Sequence, residues 1–99
     1  MLKIHRKILL KNRSDLVRDM EPNGLTSYLY QSEILSENDV DLIKAERTRK
    51  ARAEFFLDTL PRKGPKAFDA FIESLKLENS TKHLAELLVA DPDMPSTGT

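Results

Sequence analysis

Apolar positions recur along this chain at intervals of three and four residues. Ala53, Phe56, Leu57 and Leu60 follow the i, i+3, i+4, i+7 spacing of a single helical stripe. Phe68, Phe71, Ile72 and Leu75 repeat that spacing, and Leu84, Leu87 and Leu88 do so once more. No segment alternates apolar and polar residues for long enough to form a strand, so the pattern predicts an all-α protein.

Breakers and caps divide the pattern into six helices. The first is expected from about Leu2 to Met20, with Ile4, Ile8, Leu9 and Leu16 inward, and it must end before Pro22 because proline disfavours helix in the residue preceding it. Pro22 can open the second, Asn23 to about Gln31, which buries Leu25, Tyr28 and Leu29. The stretch "SEND", Ser36 to Asp39, resembles a capping box with Asp in place of Glu and predicts a short third helix carrying Val40 and Ile43 inward. Thr48 can cap a fourth helix that ends near Pro61, Gly64-Pro65 breaks and restarts the chain, and a sixth helix begins around "NST", Asn79 to Thr81. With short connections these helices predict a six-helix antiparallel bundle over residues 1–90. "DPDMPSTGT", residues 91–99, has the composition of a linker or tail.

Composition narrows the class without naming a chemistry. Ninety-nine residues with 39% apolar and 32% charged side chains suffice for one modest core. With no cysteine there is neither a disulfide nor a thiolate metal site, which is compatible with a reducing cytosolic or nuclear setting. The start, "MLKIHRKILLKNR", interrupts its apolar run with cations on both sides and reads as a structural helix rather than a signal segment or membrane span. Net charge is zero, yet the charges come in blocks: six cations face one acid in residues 1–18, and seven acids face one cation in 19–46. Seven cations face two acids in 47–66, and six acids face two cations in 67–99. Distributed over separate faces, such blocks give one molecule surfaces of both signs that a second molecule can match.

Several local constellations invite a chemical reading. "LPRKGPKAF", residues 60–68, sets Lys next to Gly, but a phosphate-binding loop needs a second glycine and a Ser or Thr after the lysine, and Gly64 stands alone. It reads as a helix–helix turn. His83 and Glu86 share a helix face without a third ligand near in sequence, and His5 is the other histidine, so no metal site is expected. Asp69 and Glu73 form a carboxylate pair, but acid/base chemistry needs a pocket that shifts their ionisation, and nothing in the pattern suggests one. No catalytic residue and no cofactor is therefore expected. The aromatic residues Tyr28, Tyr30, Phe55, Phe56, Phe68 and Phe71 suit a core and its margin better than a stacking platform for bases.

Two longer stretches carry a family resemblance. "YLYQSEILSENDVDLI" (Tyr28 to Ile43) and "LDTLPRKGPKAFDAFIESL" (Leu57 to Leu75), with "KNRSDLVRDM" in the first helix, resemble caspase recruitment domains over about residues 3 to 89. The second stretch is the more specific, since it joins a turn to a core pattern. The resemblance implies a six-helix Greek-key bundle of the death-fold class, its first helix often bent. It also implies a cytoplasmic, non-enzymatic module that binds other such domains and brings initiator caspases together in apoptotic signalling. The implied partner is another domain of this kind, carried by a caspase-2-like initiator caspase or a RAIDD-like adaptor, with self-assembly possible and neither nucleic acid nor membrane expected.

Site residues follow from the resemblance by position. The basic partner surface of the family is built on the first and fourth helices, which implies Lys11, Arg13, Arg49, Lys50 and Arg52. The acidic surface is built on the second and third, which implies Glu33, Glu37, Asp39, Asp41 and Glu46. The segment "KAERTRKARAEFF", Lys44 to Phe56, is more strongly charged than its family counterpart. One alternative from another class is a small helical nucleic-acid binder using the basic first and fourth helices, against which zero net charge and the acidic block between them both argue. Another is a structural helical domain whose charges only keep it dissolved.

Overall fold

The computed structural model of the chain describes residues 1–94. Seven helices and one 3-10 turn make up the regular structure of these residues: α1 Lys3–Lys11, α2 Arg13–Asp19, α3 Pro22–Gln31, α4 Glu37–Lys44, α5 Arg49–Thr59, the 3-10 turn Leu60–Arg62, α6 Ala67–Lys76 and α7 Asn79–Val89. The expected count of six is recovered when α1 and α2 are taken as halves of one bent first helix. The bend falls at Asn12, which leaves helical geometry with φ −103° and ψ 11°. Its side-chain amide donates to the Ile8 carbonyl at 2.8 Å, alongside its own backbone N–H at 3.1 Å. An asparagine that bonds backbone in this way competes with the helix ladder, and apolar spacing alone, continuous through this point, carries no sign of it.

Elsewhere the boundaries follow local chemistry. Pro22 opens α3 at a position where no backbone donor is needed. At the end of α3, Glu33 adopts φ 64°, and the N–H groups of Glu33 and Ile34 donate to the Tyr30 and Leu29 carbonyls at 3.1 and 2.9 Å. That is a left-handed helix stop of the kind usually made by glycine. Both arms of the capping box form at α4: Asp39 N–H donates to Ser36 Oγ at 3.1 Å, and Ser36 N–H to Asp39 Oδ2 at 2.9 Å. Thr48 caps α5 through the Ala51 N–H at 3.0 Å. Gly64 makes the turn between the 3-10 segment and α6 at φ 96°, in line with the reading of "LPRKGPKAF" as a helix–helix turn. Its role is conformational.

Packing is not sequential. Helix α2 lies against α5 and α7, and α3 touches α4, α5 and α6, with the closest pairing between α6 and α7. Interleaved pairing of this kind is what a Greek-key bundle requires. The core contains Ile8, Leu9, Leu16, Leu25, Leu29, Ile43, Ala53, Phe56, Leu57, Leu60, Phe68, Phe71, Ile72, Leu75, Leu84 and Leu88, all on the expected stripes. Ile4, Tyr28 and Val40 sit half-buried at its margin. Leu87 departs from expectation: it faces solvent, and Ala85 takes the inward place on α7. Met20 and Leu35, which lie at helix ends where periodicity is blind, complete the interior.

Residues 91–94 depart from the linker reading of 91–99. Asp91 is buried, Met94 packs against the core and donates its N–H to the Asp91 carbonyl at 2.9 Å, so this segment is folded onto the bundle. The remainder of the expected tail, 95–99, lies outside the described residues.

Gly64 supplies a direct test of the turn. A Cβ added there would meet nothing within 4 Å, so only the backbone conformation opposes it. Gly64→Ala is expected to lower unfolding stability by about 1–2 kcal/mol, the penalty for a left-handed L-residue. Urea denaturation reads it as a lower midpoint at constant slope, and an unchanged midpoint would refute this account of the turn.

Candidate interaction surface

Four cations gather around one shallow groove of about 590 Å³ between α2 and α5. Arg13, Arg18, Arg49 and Lys50 line it with Leu10, Ser14, Val17 and Glu54. Arg49 is held in place by donating to the Val17 and Met20 carbonyls at 2.8 and 2.9 Å, which satisfies backbone acceptors where α2 ends. Arg13 pairs with Asp58 at 2.9 Å and also reaches the Glu54 carbonyl at 3.3 Å. Arg18 is paired with Asp19 at 3.0 Å and Asp15 at 3.1 Å. Those partners, Asp19 foremost, raise its pKa. Lys50 is exposed and makes no ion pair or hydrogen bond among the described residues.

The other two basic residues implied by the family resemblance point elsewhere. Lys11 donates to Asp91 at 3.0 Å and Asp93 at 3.2 Å, and these contacts raise its pKa. Arg52 is half-buried and turns back to the Glu46 and Arg47 carbonyls at 3.1 and 3.3 Å, closing the turn before α5. Arg18 takes a place on the groove that positional matching had not given it. Its spacing of five from Arg13 and its own acidic neighbours hid that role in the sequence.

On the acidic side the five residues divide in the same way. Glu37 and Asp41 are exposed on α4, and Glu33 is exposed at the left-handed stop after α3. Glu46 is half-buried in the turn that Arg52 closes. Asp39 is buried. Its carboxylate holds the capping box and pairs with Lys63 at 2.6 Å. Burial pushes its pKa up, but the Lys63 ammonium and Ser36 outweigh burial and leave it lowered. Glu33 and Asp39 border a second groove of about 590 Å³ with Tyr30, Ile34 and Lys63, whereas Asp41 and Glu46 lie apart from it.

Two further polar links fix the bundle around these faces. His83 Nε2 contacts Asp19 Oδ2 at 2.9 Å and ties α7 to the end of α2. The Arg18 guanidinium first, and then His83, hold the Asp19 carboxyl well below the usual range. Among the described residues no three His, Cys, Asp or Glu side chains come together as a ligand set. Nor is any described helix long and apolar enough to cross a membrane.

The bundle thus carries a cationic groove on one pair of helices and exposed carboxylates on another. The family model for the caspase recruitment domain matches residues 6–91, and the chain belongs to that family, whose members bind like domains. Caspase-2 of Gallus gallus is 34% identical over 89 residues, which is 90% of this chain and 21% of that protein. Caspase recruitment domain-containing protein 9 of Mus musculus is 34% identical over 68 residues, 66% of this chain and 13% of that protein, and its Rattus norvegicus counterpart matches equally. The chain thus spans about a fifth or less of the curated relatives it matches.

The Asp91 cluster yields a pH prediction. The Asp93 backbone N–H, the Asn12 amide and the Lys11 ammonium hold its carboxyl at about 2, below the ordinary 3.8. A carboxyl depressed on folding adds stability in full above its unfolded value, and the addition is lost as pH falls toward the folded one. Wild type should therefore exceed Asp91→Asn in stability at neutral pH, with the gap closing between about pH 4 and 2. Urea midpoints at pH 7, 4 and 2 measure that gap, and a gap independent of pH would contradict the assignment.

Proposed function

We propose that this domain recruits or clusters an initiator caspase by docking its α2–α5 basic groove on the α3–α4 acidic surface of another caspase recruitment domain. The observation that carries the reading is the separation of the two signs: Arg13, Arg49 and Lys50 stand on α2 and α5, and Glu33, Glu37 and Asp41 on or beside α3 and α4. Different patches on the two partners make the contact heterologous, so it can propagate head to tail instead of closing as a symmetric pair. Propagation concentrates whatever each domain is attached to, and a protease zymogen held in this way reaches a high local concentration. The partner we favour is a caspase-2-like or RAIDD-like domain, or a second copy of this one, meeting in the cytoplasm. Lys11, Asp39 and Arg52 are engaged within the fold and stand outside the contact. Acids interleaved with the groove, Glu54 and Asp58, speak against a nucleic-acid backbone as its ligand.

Charge reversal separates binding from folding here. Lys50→Glu and Asp41→Lys change exposed side chains without internal partners among the described residues, so each is expected to shift stability by no more than about 0.5 kcal/mol. Each should weaken binding to the partner domain by at least about tenfold. Titration of labelled domain with the caspase-2 and RAIDD recruitment domains and with itself, at low and high salt, gives the result. Binding unchanged by both reversals, or insensitive to salt, would sink this assignment of the surfaces.

A further inference from the structure

Each charged face carries one exposed leucine that its charges do not explain. Leu10 is 72% exposed, the highest value among the large hydrophobic residues described, and it lines the basic groove beside Val17. Leu42 is 47% exposed on α4. The buried side of α4 is marked by Asp39 and Ile43, which leaves Leu42 on the flank of the helix with Asn38, and Asp41 on its outer side. Scattered exposed leucines are ordinary. These two are set apart by position, each lying within a surface of opposite charge to the other.

We infer that Leu42 of a second copy of this chain seats in the groove against Leu10 and Val17, as the apolar centre of a contact whose charges form the rim. The occupant is a second copy because one chain carries both halves: a groove of about 590 Å³ lined by cations, and an exposed leucine on the helix that also exposes Glu37 and Asp41. Charges at a rim chiefly set encounter rate and register, and small exposed pairs add little to affinity. Affinity is carried by a few well-packed side chains at a centre from which the surrounding contacts exclude water. The inference rests on the charge-paired docking proposed above and supplies what that docking lacks, a desolvated centre.

A double-mutant cycle in a contact restricted to one pair of faces tests it. Lys50→Glu weakens the groove of one population, while Glu37→Ala combined with Asp41→Ala weakens the acidic face of a second, so that the contact between the two unaltered faces dominates. Leu42→Ala is then placed in the first population and Leu10→Ala in the second, and dissociation constants are measured by fluorescence anisotropy at two salt concentrations. Circular dichroism confirms that the four proteins keep their helix content. Each leucine substitution is expected to weaken binding at least about fivefold without changing its salt dependence. The two together should weaken it by clearly less than the product of their separate effects. Binding between the two populations that is indifferent to the leucines, or effects that simply multiply, overturns the leucine centre and leaves the charged docking standing. No binding between the populations while wild-type copies do associate, or no association of wild type at all, overturns the copy-to-copy contact and the inference with it.

Discussion

Helix α6 buries Ala67, Phe68, Phe71, Ile72, Ser74 and Leu75, more than half of its length, and the helices around it are arranged by how those side chains are covered. Phe68 stacks on His5 of α1 with ring centres 4.0 Å apart and planes 6° from parallel. Phe71 meets Phe56 of α5 at 5.6 Å, tilted by 47°. Fully burying one such ring contributes roughly 1.5–3 kcal/mol, more than any exposed ion pair on the molecule can. Aromatic burial on a single helix thus draws α1 and α5 toward the same centre. The buried Ser74 hydroxyl finds an acceptor in the Phe71 carbonyl at 2.6 Å, so the wrapping leaves that group satisfied.

The buried face of α6 carries no charged side chain, and apart from Asp39 and Asp91 the charge blocks of the sequence are displayed at the surface. Much of that display is used internally. Lys11 and Lys7 meet Asp91 and Asp93, Arg13 meets Asp58, and Lys63 meets Asp39, each pair joining elements far apart in the chain. The chain's zero net charge therefore reflects intramolecular matching as well as faces left open for another molecule.

Legibility in the sequence follows from which forces are periodic. Burial repeats with the helix, so Phe56, Phe68, Phe71 and Leu84 announce the core and the fold class. Caps are legible where a side chain must bond its own neighbourhood, as with Ser36 and Asp39. The position of the bend in the first helix is not, because Asn12 bonds Asp91 at 3.0 Å across the whole chain as well as Ile8 in its own helix. For the same reason Lys11, Arg52 and Asp39 read as surface charges but are bound up in tertiary or turn contacts, while Arg18 enters the groove unannounced. Periodicity also cannot tell an inward leucine from an outward one near a helix end, which is why Leu87 reads as core, nor does it give Leu10 or Leu42 a reason to face solvent.

Whether an internal ion pair removes a residue from the interaction surface depends on how deeply its partner is buried. Asp58 is 64% exposed on its side chain, so a partner carboxylate can replace it against Arg13 at little cost: both the pair lost and the pair gained lie in high dielectric. Asp91 is only 3% exposed on its side chain and receives three donors, the Asp93 N–H, Asn12 and Lys11. Removing Lys11 would strand a buried carboxylate, and such a group with one donor withdrawn costs far more than a surface exchange returns. Arg13 and Lys50 are therefore available to a partner and Lys11 is not, although all three carry the same formal charge. The same comparison on the acidic side favours Asp41 and Glu37 over Asp39, whose carboxylate also holds the N-terminus of α4. Exchangeability rather than charge alone thus selects the part of each block that can recognise another domain.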